Sequence, residues 1–261
     1  SAVTKSNRQL TLCPLSYHNQ RYEIDFDRLA ALEDNSRILL FCSPHNPVGR
    51  VWSRSDLEQL IKIAQEKNWI IISDEIHADL TYPEYQHTPL ARLAEEFENI
   101  ITALAPSKTF NIPGLNLSAL IVPNAKFRQA ILNFFDQLHI NPANPFSITA
   151  FETAYQKGAN WLDELISYLS CTRDQVADYL TKYLPAIQLV KPEGTYLLWL
   201  DCRSMRMTDS ELKRFFIHQA GVGLSPGILF GDEGSGFMRM NIGTPRSNVL
   251  AALEKIKKAY V

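Results

Sequence analysis

The sequence predicts an α/β fold over its first part and a small α+β unit over its second part. In the first part, short apolar runs alternate with amphipathic helical patterns, as in sheets whose parallel strands are joined by helices. In the second part, one long helical pattern leads into short strands and two further helices. We therefore predict two domains, a large one over residues 1–165 and a small one over residues 166–261.

The elements of the first part follow one another in a regular order. Residues 38–42 form an apolar run that ends at the turn-rich stretch SPHNPVGR, which is typical of a strand buried on both faces. Ser53 and Asp56 then form the capping box of a helix whose apolar residues recur at helical spacing. Further strands, each a β-rich run that ends at turn residues, are predicted at 69–73, 100–104 and 118–122.

The second part contains fewer and less regular elements. The stretch 160–183 keeps helical periodicity for longer than most globular helices and is a candidate bridge between the two domains. Thr208 and Glu211 form a second capping box. The remaining elements are strands at 187–190, 195–200 and 237–242 and a terminal helix from Ser247.

Composition and charge exclude several classes of protein. A chain of 261 residues with 46% apolar residues can bury a large core, and its net charge of -2 with scattered basic residues argues against nucleic acid. No apolar run approaches the ~20 residues of a membrane helix, and the first residues lack the pattern of a signal peptide. The four cysteines are far apart, which indicates neither a zinc site nor disulfides. We expect a cytoplasmic protein with no metal, nucleic-acid or membrane partner.

Reactive side chains follow three of the predicted strands. Asn46 lies in the first loop, Asp74 and His77 in the second, and Ser107 with Lys108 in the third. In open α/β sheets, ligands bind beyond the carboxyl ends of the strands, so an amide, a carboxylate and an amine are expected to converge there. A carboxylate at a buried strand end is costly unless a cation faces it. The sequence therefore predicts a ligand site that includes a cationic group beside Asp74.

The motifs N-P-x-G, D-E-I-H, S-K-T-F-N and R-x-N-x-G-x-P-R occur in this order and are specific in combination. From about Leu12 to its last residue, the chain resembles the fold-type I, pyridoxal-phosphate-dependent aminotransferase class I/II family, and within it the cystathionine β-lyase-like carbon-sulfur lyases. The resemblance implies a mostly parallel sheet in the large domain, a small α+β domain, pyridoxal 5'-phosphate as cofactor and a homodimer of the full-length form. Relatives carry a further N-terminal portion, so we expect this chain to be the C-terminal part of such an enzyme.

The resemblance also implies roles for the strand-end residues. Asp74 would keep the cofactor's ring nitrogen protonated. Lys108 would bond covalently to the cofactor and, once freed, take the proton from the substrate's Cα. Asn46 would donate to the phenolic oxygen, and His77 stands where many relatives carry a tyrosine that contacts the same oxygen. Ser107 would contact the phosphate.

One arginine of the small domain is implied to bind substrate. Arg239 matches the residue that holds the α-carboxylate, since a guanidinium suits a carboxylate through two parallel hydrogen bonds. Arg246 is the local competitor for this role. Tyr196 and Trp199 are expected to pack the small domain, and Asn116 stands where relatives often carry a phosphate-binding arginine.

Each of these residues has an ordinary alternative when its motif is taken alone. Asp74 could be a helix cap, Lys108 a solvated surface lysine and Arg239 an exposed residue on the outer face of a strand. His77 could be a satisfied polar residue near the core, and the N-P-x-G motif could be only a turn. Ser107 could bond only to local backbone.

The function implied by the resemblance is β-elimination of cystathionine or related S-substituted cysteines, which yields a thiol, pyruvate and ammonia. An aminotransferase, or an inactive part of either enzyme, remains open because the same residues serve both reactions. Two other classes also remain open: a metal-dependent hydrolase that uses Asp74, Glu75 and His77, and a binding module that has lost the cofactor. Against the hydrolase, Glu75 is expected to point away from Asp74 along a strand.

Overall fold

The computed structural model describes residues 2–33, 37–94, 96–140 and 144–260, so residue 1 of the large predicted domain and residue 261 of the small one lie outside it. Within this part the strands form two four-stranded sheets and one two-stranded hairpin. None of the described helices is long and apolar enough to cross a bilayer.

The first part of the chain contains a sheet with the strand order β3-β4-β5-β6. Its strands are β3 (Ile38–Cys42), β4 (Ile70–Asp74), β5 (Ile100–Leu104) and β6 (Ala119–Ile121), preceded by the hairpin strands β1 (Ser16–His18) and β2 (Arg21–Glu23). The helices are α1 (Ala2–Lys5), α2 (Phe26–Ala30), α3 (Arg54–Glu66), α4 (Pro106–Thr109), α5 (Ala125–Gln137) and α6 (Pro145–Lys157). The four predicted strands and the first predicted helix are thus confirmed, with ends shifted by at most a residue or two.

The sheet is mostly parallel, as the resemblance implies, and its last strand runs in the opposite direction. Strands β3, β4 and β5 are parallel, whereas β6 pairs antiparallel with β5. The chain returns from β5 through the four-residue helix α4 and a 3₁₀ turn that ends at Asn116, which has a left-handed φ of 49°. This connection lacks a helix long enough to carry the chain back along the sheet, as a parallel pairing requires.

Strand β3 differs from the prediction in its burial, because only one of its faces is covered within the described residues. Phe41 is buried and Leu39 packs beside it against the core that includes α3. Ile38 and Leu40 point to the other face and are 55% and 58% exposed. Within the described residues, no element covers that face of β3.

Helix α3 shows why the local prediction succeeds where it does. The Ser53 hydroxyl accepts from the Asp56 backbone N–H at 3.2 Å, and the Asp56 carboxylate accepts from the Ser53 backbone N–H at 3.0 Å. The predicted capping box is therefore confirmed. The apolar stripe of the helix packs against the sheet, with Leu57, Leu60, Ile61, Ile63 and Ala64 buried.

The second part forms an antiparallel sheet with the order β7-β8-β10-β9. Its elements are α7 (Ala159–Tyr183), β7 (Gln188–Leu189), β8 (Leu197–Asp201), α8 (Asp209–Arg214), a π-helical turn (Phe215–Gln219), β9 (Ser225–Pro226), β10 (Phe237–Asn241) and α9 (Arg246–Tyr260). The long helix, the second capping box at Thr208 and Glu211 and the terminal helix are confirmed. Side chains of α7 and α9 cover one face of this sheet.

The two parts of the chain share a core. Leu80 and Tyr82, which follow β4, pack into the cluster formed by α7, α9 and the second sheet. The predicted boundary at residue 165 falls inside α7, which runs without interruption from Ala159 to Tyr183. The division into domains therefore stays a prediction.

Candidate active site

The carboxyl ends of β4 and β5 bring the predicted acid and the predicted lysine to one edge of the sheet. Asp74 is the last residue of β4 and lies opposite Ala103 of β5, while Lys108 lies in α4, which directly follows β5. Burial raises the pKa of the half-buried Asp74, and the positive charge of Lys108 acts in the opposite direction. The two side chains therefore share one electrostatic environment.

His77 lies in the turn after β4 and faces the same environment. It is 2% exposed, and its Nδ1 has no hydrogen-bond partner within the described residues. Burial, together with the positive charges of Lys108 and Arg239, lowers the pKa of His77 to about 4. At neutral pH the imidazole is uncharged, with one buried nitrogen available to a ligand.

Arg239 extends from β10 toward the first strand-end loop. Its Nη1 donates to Asn46 Oδ1 at 2.9 Å and its Nη2 to Ser225 Oγ at 3.3 Å, while the guanidinium lies 4.7 Å from the centre of the Phe230 ring. No carboxylate forms an ion pair with Arg239 in the described part of the chain, and burial lowers its pKa. A half-buried guanidinium held only by neutral acceptors is suited to bind an anion.

Arg246, the alternative arginine, is engaged elsewhere. Its Nε donates to Thr172 Oγ1 at 3.0 Å and its Nη2 to the backbone oxygen of Tyr168 at 3.2 Å. The guanidinium also lies 4.4 Å from the centre of the Tyr168 ring. These contacts attach Arg246 to α7 rather than to the strand-end loops.

The loop that presents Asn46 is held by the second part of the chain. The Gly49 oxygen accepts from the backbone N–H groups of Glu193 and Gly194 at 2.8 and 3.1 Å. Gly49 has a φ of 72°, a conformation that favours glycine. The next residue, Arg50, is buried and forms an ion pair with the buried carboxylate of Glu193.

Ser107, the predicted phosphate contact, and Asn116, which stands where relatives often carry an arginine, both lie near Lys108 in sequence. Ser107 is partly buried, and its hydroxyl makes no hydrogen bond within the described residues. Asn116 lies in the turn before β6 and supplies no positive charge. The structure thus leaves the Ser107 hydroxyl free for a ligand, and its role stays a prediction.

Tyr196 contacts the site, which the sequence analysis did not predict. Its ring packs on the small-domain core as expected, but it also meets the His77 ring edge-on, with 5.9 Å between ring centres. The charge of Arg239 influences the Tyr196 phenol, whose pKa is raised by burial. No local pattern signals this contact, because it depends on how the two parts of the chain pack. Trp199 stacks on Phe237 at 5.4 Å and has the predicted packing role.

Glu75 points away from this group of residues. Its buried carboxylate accepts from Ser73 Oγ at 2.8 Å and from the Leu90 backbone N–H at 3.1 Å, and it lies 2.8 Å from His87 Nε2. The alternation at the end of β4 therefore directs Glu75 and Asp74 to opposite sides. In the ranges that the structure describes, no three His, Cys, Asp or Glu side chains are grouped as metal ligands would be.

These residues fit pyridoxal phosphate. A partly desolvated acid accepts one long backbone hydrogen bond, from Ile76 at 3.3 Å, and a cationic ring nitrogen would compensate it. Lys108 makes no hydrogen bond within the described residues and can meet an aldehyde, and the unpartnered Nδ1 of His77 can meet the phenolic oxygen. The parallel strand ends and this residue set define a pyridoxal-phosphate enzyme of fold type I.

The chain belongs to the aminotransferase class I and II family, whose sequence pattern it matches over residues 6–256. It is 39% identical over 260 residues to cystathionine beta-lyase PatB of Bacillus subtilis (strain 168), covering 98% of this chain and 67% of that protein.

Two solved structures are also similar. Cystalysin from Treponema denticola, which contains a pyridoxal 5'-phosphate cofactor, matches with a TM-score of 0.92 and 36% identity, over 99% of this chain and 66% of that one. The pyridoxal-phosphate-bound C-S lyase from Staphylococcus hominis matches with a TM-score of 0.90 and 36% identity, over 100% of this chain and 67% of that one. The chain thus spans about two thirds of each relative, and the cofactor of the family is pyridoxal phosphate.

Proposed function

We propose that this protein is a pyridoxal-phosphate-dependent carbon-sulfur β-lyase. Its substrate would be cystathionine or a related S-substituted cysteine, and its products a thiol, pyruvate and ammonia. The observation that carries the proposal is the shared electrostatic environment of Lys108, Arg239 and the buried His77, beside the acid Asp74. The similarity to a cystathionine beta-lyase and to a C-S lyase supports the choice of reaction.

Four side chains would hold different parts of the cofactor. When bound, pyridoxal phosphate supplies an electron sink for the bond electrons released at the substrate's Cα. Asp74 would hold the proton on the ring nitrogen, because a buried carboxylate is stabilised by a cation beside it. Asn46 and the neutral His77 would meet the phenolic oxygen, and Ser107 would donate to the phosphate.

Two basic residues would bind the substrate and take up its proton. Arg239, oriented by Asn46 and Ser225, would bind the α-carboxylate and so place Cα within reach of Lys108. Lys108 would hold the cofactor before substrate arrives and then accept the Cα proton as a free amine. The thiolate would then depart from Cβ with the electrons of the carbon-sulfur bond and take up a proton, and water would hydrolyse the released aminoacrylate to pyruvate and ammonia.

Amino transfer is the second candidate. The family includes aminotransferases, and the roles proposed for Asp74, Lys108 and Arg239 are the same in that reaction. The difference would lie in the fate of the proton taken from Cα: Lys108 would deliver it to the cofactor in amino transfer, whereas elimination does not require this delivery. Product analysis therefore separates the two reactions.

The test compares pyruvate release from cystathionine with keto-acid-dependent amino transfer. We expect pyruvate release to dominate, Lys108→Ala to abolish both the visible absorbance of the bound cofactor and turnover, and Asp74→Asn to lower kcat by at least about 100-fold. Amino transfer without pyruvate would refute the lyase. Absence of cofactor binding would refute both reactions.

A paired arginine experiment tests the carboxylate site. Arg239→Lys keeps the charge but loses the two-pronged geometry, so KM for cystathionine should rise by about 10-fold or more. Arg246→Ala removes the competing arginine, which is bonded to α7, and should leave KM within about twofold. The opposite ranking would assign the substrate carboxylate to Arg246.

We further propose that the protein works as a homodimer in the cytoplasm. Exposed apolar side chains on α5, such as Leu132 and Phe134 at 54% and 55% exposure, support burial against a second copy. All four cysteines, each within the described residues, are free thiols, which supports a reducing compartment. Light scattering on purified protein tests the dimer, and cell fractionation tests the location.

A further inference from the structure

Asp79 lies in the loop after β4 and bonds to two other elements. Its Oδ2 accepts from Thr109 Oγ1 of α4 at 2.9 Å and from the Tyr155 hydroxyl of α6 at 3.5 Å. Asp79 therefore ties the loop that follows Asp74 and contains His77 to the turn that contains Lys108. No role in the proposed reaction has so far been given to this carboxylate.

The turn that carries Lys108 needs such support from outside. Helix α4 has only four residues and no side-chain cap at Ala105, so its own hydrogen bonds hold it weakly. Thr109, next to Lys108, is fully buried and donates its hydroxyl to Asp79. Phe110 follows, with its ring centre 5.7 Å from that of Tyr155.

A second contact shows that this region is closely packed. The Phe110 ring also lies 5.7 Å from the Trp161 ring of α7. A Cβ atom at Gly158, between α6 and α7, would collide with Phe110. The packing of the Phe110 ring thus fixes the end of the Lys108 turn. The hydrogen bond from Thr109 to Asp79 fixes the side of the turn that faces the loop after β4.

We propose that Asp79 is a positioning residue, which holds Lys108 opposite Asp74 through the hydroxyl of Thr109. The inference rests on the proposed function, because it assigns Lys108 a catalytic task. A hydrogen bond to an ionised acceptor is stronger than a neutral one and has a defined geometry. Displacement of a reacting group by about 1 Å can cost about 100-fold in rate, so a small shift of the turn would reduce turnover.

The experiment removes the hydrogen bond at its donor. Thr109→Val keeps the shape of the buried side chain but not the hydroxyl, Thr109→Ser restores the hydroxyl, and Asp79→Asn keeps an acceptor without the charge. Thr102→Val is the matched control, because Thr102 is buried in β5 and its hydroxyl has no partner within the described residues. All variants are compared as cofactor-loaded protein in kcat, KM, Tm and the pH dependence of the cofactor's visible absorbance.

We expect Thr109→Val to lower kcat by about 10- to 100-fold, with KM for cystathionine within about twofold. The pH midpoint of the visible absorbance should shift, because the environment of the Lys108 amine changes. Thr109→Ser should return both values to near wild type, Asp79→Asn should give a smaller loss, and Thr102→Val should change neither.

Two outcomes would overturn the inference. If Thr109→Val lowers only Tm and leaves kcat and the absorbance midpoint unchanged, Asp79 has a purely structural role. If Asp79→Asn and Thr109→Val both match the wild type, the hydrogen bond does not position Lys108. Wild-type protein that binds no pyridoxal phosphate would instead refute the proposed function, and this inference with it.

Discussion

Two buried histidines near the strand ends are held uncharged by their surroundings. The Nδ1 atoms of His45 and His77 are both buried without a hydrogen-bond partner in the described ranges. Burial lowers the pKa of each to about 4. His45 precedes Asn46 and meets the Trp52 ring edge-on at 5.9 Å, so it supports the loop without belonging to the candidate site.

These histidines predict a loss of stability in acid. A group whose pKa is lowered on folding contributes its full stability above its unfolded pKa, here 6.5, and loses it as pH falls toward about 4. Between pH 6.5 and 5 the loss is roughly 2 kcal/mol for each histidine, at about 1.4 kcal/mol per unit. Urea unfolding at pH 7.5 and pH 5 measures the difference.

The variant His45→Phe isolates one of the two contributions. Phenylalanine keeps a ring beside Trp52 but has no proton to gain, so the variant should lose about 2 kcal/mol less than wild type between the two pH values. Equal losses in both proteins would mean that His45 titrates normally in the folded state.

At the scale of elements, local chemistry predicts helices and strands but not how they pair. The capping boxes at Ser53 and Thr208 marked two helix starts correctly, because both partners of a capping box lie within four residues. The antiparallel direction of β6 was not predicted, since it depends on a left-handed turn at Asn116 rather than on any pattern within the strand. The hairpin of β1 and β2 and the helices α5 and α6 were not predicted at all.

The first capping box should contribute measurably to stability. Ser53→Ala removes the acceptor for the Asp56 N–H and should lower the free energy of unfolding by about 1 kcal/mol. Ser210→Ala, at an exposed position within α8, is the control and should change it by less than about 0.5 kcal/mol. If the two variants are equal in urea unfolding, the box does not stabilise α3.

The contact between the first loop and the second part of the chain depends on a buried ion pair. Glu193 accepts from the Val51 backbone N–H at 2.9 Å and pairs with Arg50. The Nε of Arg50 donates to the backbone oxygen of Tyr22 at 2.8 Å. Both charged side chains are almost fully buried. Removal of one partner leaves the other charge buried and unpaired, which is costly.

Glu193→Gln should therefore lower the free energy of unfolding by about 3 kcal/mol or more. The exposed pair of Arg54 and Glu58 on α3 provides the control, and Glu58→Gln should cost less than about 0.5 kcal/mol. The double variant Arg50→Met with Glu193→Gln should lose less than the sum of its single variants in urea unfolding. Additive losses would show that the two side chains act independently.

At the scale of the whole molecule, the candidate site was more predictable than the surroundings that hold it. Asn46, Asp74 and Lys108 follow from one rule, that ligands bind beyond the carboxyl ends of parallel strands. The contact of Tyr196 with His77 and the bond from Asp79 to Thr109 follow from no local pattern, because each joins loops that are distant in sequence. Their prediction requires the packing of the complete chain.

The exposed apolar side chains of α5 predict self-association. Leu132 and Phe134 are each more than half exposed, and exposed apolar area of this kind is commonly buried against another molecule. Phe134→Gln should raise the dissociation constant for self-association by at least about 10-fold, since it removes roughly 1.5 to 3 kcal/mol of apolar burial. Sedimentation velocity over a concentration series measures it.

Leu229, which is 73% exposed in the second part of the chain, supplies the control for this measurement. Leu229→Gln makes the same kind of change on a different surface and should leave the dissociation constant within about twofold. An equal effect of both variants would place the association elsewhere than on α5.

The uninterrupted helix α7 has a mechanical consequence. Its 25 residues make a stiff rod about 37 Å long, anchored at one end beside the Phe110 ring. A tilt of about 5° at that end would swing the far tip by about 3 Å, on the geometry of a straight helix. A small shift of the turn that carries Lys108 would thus become a larger displacement at the far end of α7, where the helix leads into the second sheet.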